Sequence, residues 1–138
     1  ARRIAAAKAA EAEVEVAWQS GFARDAANFG KFDKVVSSLV FHQVPVEEKR
    51  AGLEAMFTAT KPGGLVLIAD YAEQRSWLMR QAFKIVQSAD GRTNTQPNAD
   101  GFLEQELERI CGAPQTAVWS LDTPTGTISI FSADPASR

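Results

Sequence analysis

Two stretches decide the fold of this chain: Phe32-Asp33-Lys34-Val35-Val36-Ser37-Ser38-Leu39 and Gly64-Leu65-Val66-Leu67-Ile68-Ala69-Asp70. Both are blocks of β-branched and aliphatic residues without polar–apolar alternation. Strands buried on two faces have this composition, and parallel sheets covered by helices bury their strands in that way. Between the blocks, Pro45 stands at a helix start, where its missing N–H costs nothing. Leu53, Met56 and Phe57 recur at helical spacing, and Lys61-Pro62-Gly63-Gly64 ends the helix and turns the chain. Strand, helix, strand is a βαβ unit, whose crossover is expected to be right-handed.

Upstream, Arg2 to Glu13 are helix formers without Gly or Pro. Val14-Glu15-Val16-Ala17-Trp18 then switches to period two, the pattern of a strand with one polar face, as at a sheet edge. Gln19 to Lys31 reads as a connection with one short helical turn around Ala26. Downstream, a helix is expected over Glu73 to Ser88, with Trp77, Leu78, Ile85 and Val86 on its apolar side. Asp90-Gly91 starts a polar loop to Pro97. A third helix, Ala99 to Cys111, has Asn98 as its N-cap and Gly112 and Pro114 as stop signals. Thr116 to Leu121 and Thr127 to Ala133 surround a short Pro/Gly turn and make an antiparallel hairpin. The expected class is α/β: a Rossmann-like, doubly wound, mostly parallel sheet with helices on both faces and a C-terminal antiparallel hairpin.

A chain of 138 residues suits one domain, 1–138, with a core of ordinary size. Fifteen Lys and Arg against seventeen Asp and Glu leave a charge of −2, which gives no support for a nucleic-acid partner. Its single cysteine, Cys111, excludes an internal disulfide and a Cys-rich zinc site. A single histidine, His42, excludes a site built from two or more histidines, and no metal-ligand spacing occurs elsewhere. The longest apolar run, Leu65 to Ala69, is a strand's length and far from a membrane span. Lys8, Glu11 and Glu13 interrupt what a signal peptide would keep apolar, so a reducing, cytoplasmic setting is the expectation. The chain opens on Ala1, not Met, and reads as a piece of something longer.

Element order and short motifs resemble the C-terminal two-thirds of a class I S-adenosylmethionine-dependent methyltransferase domain, in its small-molecule branch with the ubiquinone and menaquinone C-methyltransferases. Phe32 to Val44 is similar to that family's fourth strand and the turn after it. Lys61 to Asp70 is similar to the approach to its fifth strand, and the terminal hairpin to its last two strands. The family's glycine-rich loop, its first two strands and the carboxylate that holds the ribose hydroxyls have no counterpart in these residues. Those glycines let the backbone approach the cofactor at a helix N-terminus. The resemblance implies S-adenosylmethionine as cofactor, a small-molecule substrate, and methyl transfer by in-line displacement. The protein's part is then to align the acceptor, exclude water and remove a proton.

The cofactor is expected across the C-terminal ends of the parallel strands. Ser38 and Leu39, ending the fourth-strand match, either contact it or only pack at a strand end. Phe22 and Ala23 either wall the adenine ring or belong to the core; Phe22 stands where the family often has an acid. His42 lies just beyond Leu39, and two roles are open to it: general base, or a histidine that packs or caps. Asp70 and Tyr71, ending the fifth-strand match, either face substrate or serve as a helix-capping Asp with a packing Tyr. No metal ligand is expected.

In the resembling fold the strand order is third, second, first, fourth, fifth, seventh, sixth. Loss of the first two would leave roughly 14 Å between Val14–Trp18 and Phe32–Leu39, at about 4.8 Å per strand spacing. Collapse of Val14–Trp18 onto Phe32–Leu39 is the expected outcome in a single chain. The open sheet edge otherwise offers a template for self-association. A different class of function, a non-catalytic α/β interaction or assembly module, stays open beside the enzyme.

Overall fold

The computed structural model describes residues 2–135. Helix α1 (Arg2–Glu11) is followed by irregular chain and a 3-10 turn at Ala23–Phe29. Strand β1 (Phe32–Ser38), a short 3-10 turn at Phe41–Gln43, helix α2 (Val46–Ala59) and strand β2 (Thr60–Tyr71) form the βαβ unit. Helices α3 (Trp77–Asp90), α4 (Arg92–Ala99) and α5 (Phe102–Cys111) precede the hairpin of β3 (Trp119–Thr123) and β4 (Gly126–Ala133). No helix among the described residues is long and apolar enough to cross a membrane.

The sheet runs β1-β2-β4-β3. β1 and β2 are parallel, with Val35 opposite Val66 and Ser38 opposite Ala69. β4 inserts antiparallel between β2 and β3, with Phe131 opposite Ile68 and Ile128 opposite Leu121. This is the order that the resemblance gives for strands four, five, seven and six. Side chains alternate across the sheet. Val66, Ile68, Phe131 and Ala133 form one face, beneath Leu53, Met56 and Phe57 of α2 and Leu103, Leu107 and Cys111 of α5. A smaller cluster, Phe83 and Val86 of α3 with Ala99 and Tyr71, closes the C-terminal end of β2.

Several expectations change. Val14–Trp18 is irregular rather than a strand, and the collapse onto β1 does not occur. A strand carries no hydrogen bonds of its own, so alternation alone cannot hold one without a ladder partner. Residues 92–97, expected as loop, are helical and with Asn98 and Ala99 form α4, despite Pro97 in its last turn. Asn98 therefore lies inside α4 and is buried instead of capping α5, which starts after Gly101. Helix α3 starts at Trp77 because the Ser76 hydroxyl accepts from the Met79 N–H, so Glu73 stays outside it. Of its expected apolar side, Val86 is buried with Phe83, whereas Trp77, Leu78 and Ile85 are exposed.

Lys61 to Gly64 belongs to β2 as a bulge: Thr60 pairs with Phe32 and Leu65 with Lys34. A Cβ on Gly64 would lie 2.7 Å from the Asp33 carbonyl oxygen, so only glycine lets the strands meet here.

Candidate active site

The site begins where β1 stops. Leu39 adopts a left-handed backbone, φ 54°, uncommon for a residue with a branched side chain. Its N–H still donates to Ala69 O at 2.8 Å, which fastens the turn to β2. The following N–H groups, of Val40 and Phe41, then donate to Asp70 Oδ2 at 3.0 and 2.6 Å. On the other oxygen, Asp70 Oδ1 accepts from the Tyr71 N–H at 2.8 Å and lies 2.6 Å from His42 Nδ1. Asp70 is fully buried, and these four partners replace the water it gives up.

An ionised carboxylate only accepts, so His42 Nδ1 carries the proton in that contact, and Nε2 faces the other way. Nε2 stands 3.4 Å from Asp90 Oδ2, at the C-terminus of α3, an ion pair when the ring is doubly protonated. His42 is 4% exposed, whereas the Asp90 side chain beside Nε2 is 31% exposed. The Tyr71 ring stands edge-on to the imidazole, centroids 5.0 Å apart, and packs on Phe83. Its hydroxyl shares a 2.7 Å hydrogen bond with Thr125 Oγ1, which brings the β3–β4 turn to the site.

Beneath this pair lies Lys49, buried in α2. Its ammonium donates to Asn94 O at 2.6 Å and to Asn98 Oδ1. Desolvation lowers its pKa from 10.5 to about 8, against the opposing pull of the Asp70 charge.

The structure joins three of the residues singled out in the sequence: His42, Asp70 and Tyr71. Ser38 and Leu39 lie exposed at the end of β1, one turn before them. Phe22 is 67% exposed, with the Arg24 guanidinium 4.7 Å above its ring. Ala23 opens the 3-10 turn that packs on α2: a Cβ on Gly52 would lie 3.0 Å from both Ala23 Cβ and the Phe41 ring. Asp70 points inward to the imidazole and the backbone of the turn. The sequence marks none of Lys49, Asn98 and Asp90 as a site residue; it offers Asn98 only as a helix N-cap. Lys49 sits in the charged run Glu47-Glu48-Lys49-Arg50, and Asp90 reads as the start of a loop. Among the described residues no group of three or more His, Cys, Asp and Glu could hold a metal ion.

No family model and no curated protein matches this sequence. Solved structures do. An O-methyltransferase family protein from Burkholderia thailandensis superposes with a TM-score of 0.61 at 20% identity, over 96% of this chain and 41% of that one. The chain shares its fold with that O-methyltransferase family protein. A second structure, described under the conversion of a disulfide bond into a thioacetal group during echinomycin biosynthesis, gives a TM-score of 0.57 at 17% identity. There the match covers 96% of this chain and 61% of the other. The chain thus spans less than two thirds of either protein's length.

Proposed function

We propose that the chain is part of a class I S-adenosylmethionine-dependent methyltransferase that acts on a small molecule, as in the quinone C-methyltransferase-like branch its sequence resembles. One observation carries this reading: a buried imidazole bonded to a buried carboxylate, both at the C-terminal ends of adjacent parallel strands. In open α/β sheets that edge is where ligands bind. When bound, the cofactor supplies an electrophilic methyl group. The exposed residues Phe22, Ala23, Ser38 and Leu39 fit its adenine side, with Phe22, Ala23 and Leu39 as an apolar wall. None of the four carries a carboxylate for the ribose, so affinity in these 138 residues is weak.

His42 Nε2 is the proton acceptor in this reading. Asp70 fixes the ring through Nδ1 and stabilises the imidazolium that forms. The acceptor molecule reaches Nε2 by displacing the Asp90 carboxylate. A base at this point suits an acceptor with an acidic O–H or C–H. Tyr71 and the Thr125 turn flank the approach and contribute to substrate fit.

Titration with S-adenosylmethionine, on this chain and on an upstream-extended version, tests the reading. Clear binding in the extended version supports it; a sub-micromolar dissociation constant for the 138 residues alone contradicts the assigned division of the site. In an active extended version, His42→Ala should lower turnover and leave cofactor affinity nearly unchanged. Unaltered turnover across a pH series removes His42 from the mechanism. The burial of His42 behind Asp90 favours a second reading, a non-catalytic interaction module in which the pair is a structural clamp. Absence of cofactor binding in the extended version would count against the methyltransferase reading and favour that one.

A further inference from the structure

Lys49 comes from the most charged run of α2, yet its side chain is fully buried. Buried ammonium groups are ordinarily paired with carboxylates. Lys49 instead donates to two neutral oxygens, Asn94 O and Asn98 Oδ1. Each asparagine passes the contact on. Asn98 Nδ2 donates to Tyr71 O at 2.7 Å, and Asn94 Nδ2 donates to Gln43 O at 2.9 Å. Tyr71 is the chain neighbour of Asp70, and Gln43 that of His42. One cation therefore grips α4 and, through it, the backbone on both sides of the His42–Asp70 bond. It also fixes the Asn98 amide: with Oδ1 on the ammonium, Nδ2 has to point at Tyr71 O. A methionine would fill the same space without a buried charge, but it would leave Asn94 O and Asn98 Oδ1 without their donor.

We propose that Lys49 is a positioning residue, which through Asn94 and Asn98 holds the His42 turn and the end of β2 where the imidazole meets Asp70. Its consequence for turnover rests on the reading of His42 as the base; its consequence for the ring does not. The depressed pKa of Lys49 agrees with a charge kept out of water for its directional hydrogen bonds.

The chain has one histidine, so 15N-histidine labelling reports the two ring nitrogens of His42 without overlap. In the wild-type chain one tautomer, protonated at Nδ1, is expected. Lys49→Met should lose that single tautomer and give averaged or doubled ring-nitrogen signals, while the indole signal of Trp119 on β3 stays in place. Asn98→Asp keeps an acceptor for the ammonium and removes the donor to Tyr71 O, so it should shift the same nitrogens to a smaller extent. Unchanged His42 signals in folded Lys49→Met overturn the proposal. Should that variant be unfolded by circular dichroism, unchanged signals in Asn98→Asp overturn it equally. Movement of Trp119 together with His42 would reduce Lys49 to a general stabiliser and also overturn it. Failure to bind S-adenosylmethionine would leave these outcomes intact, which separates this inference from the proposed function.

Discussion

Leu39 carries the backbone strain of the site. A non-glycine residue held in the left-handed region costs on the order of 1–3 kcal/mol. In that conformation the next two N–H groups both reach Asp70, which offsets the strain. Leu39→Gly should therefore change stability by no more than about 1 kcal/mol, since relief of strain offsets glycine's larger unfolded-state entropy. Leu39→Val should destabilise by about 1–2 kcal/mol, because a β-branched side chain suits this region least. Urea unfolding of the two variants checks the order, and a Gly variant less stable than the Val variant would contradict it. At this scale the sequence disclosed which residues matter more readily than what they touch. His42, Asp70 and Tyr71 were legible as residues at strand ends. Their bonds were not, because contact across 28 positions comes from the β1–β2 register. Lys49 was hidden by its charged neighbours, which gave no sign that it alone turns inward.

The sequence places β1, α2, β2 and the hairpin as elements. But β1, composed like a strand covered on both faces, is largely exposed, because it lies at the sheet edge and only Val35 and Ser37 on it are half-buried. Helix α4 was missed because Arg92-Thr93-Asn94-Thr95-Gln96-Pro97-Asn98-Ala99 has poor helix propensity. Tertiary bonds hold it instead, among them those from Lys49 and to Tyr71 O. These bonds give stability a pH dependence. Lys49 is held at about 8, below its ordinary 10.5. Between those values the unfolded chain keeps a proton that the folded chain has released, so stability rises with pH across that window. Below about pH 8 both states are charged and the desolvation penalty is present in full. The stability of the wild-type chain relative to Lys49→Met should climb by up to about 3 kcal/mol between pH 8 and 10.5, at 1.36 kcal/mol per pH unit. A difference flat over that range, in denaturant titrations at fixed pH, would contradict it. The β2 bulge makes a second prediction at this scale. Gly64→Ala forces a Cβ against the Asp33 carbonyl and should cost about 1–3 kcal/mol, read as a lower unfolding midpoint.

At the level of the whole molecule, the sheet has one open edge at β1 and another at β3 among the described residues. Among the described residues β1 pairs only with β2, and Val36 on it is 63% exposed. Trp119 and Leu121 are exposed too, on the sheet face turned away from α2 and α5. Unpaired N–H and C=O groups beside apolar side chains invite pairing with a second chain. We expect the isolated 138 residues to self-associate as concentration rises, and Val36→Lys to suppress this. Sedimentation velocity over a concentration series decides the matter. A monomer throughout, or association indifferent to Val36→Lys, would refute the expectation.

The Asp70 carboxylate has a consequence for how the molecule assembles in time. Its four partners come from the turn after β1 and from its own strand end, so none of the bonds across the strands exists until β1 and β2 have aligned. A collapsed, helix-rich intermediate would have every residue of the site and none of its geometry. The imidazole is therefore a clock for folding. In stopped-flow refolding followed by pulse labelling, protection of the Phe41 amide should appear together with that of Val66 and Ile68, whatever the timing of α2. Closing the sheet and setting the histidine are one event.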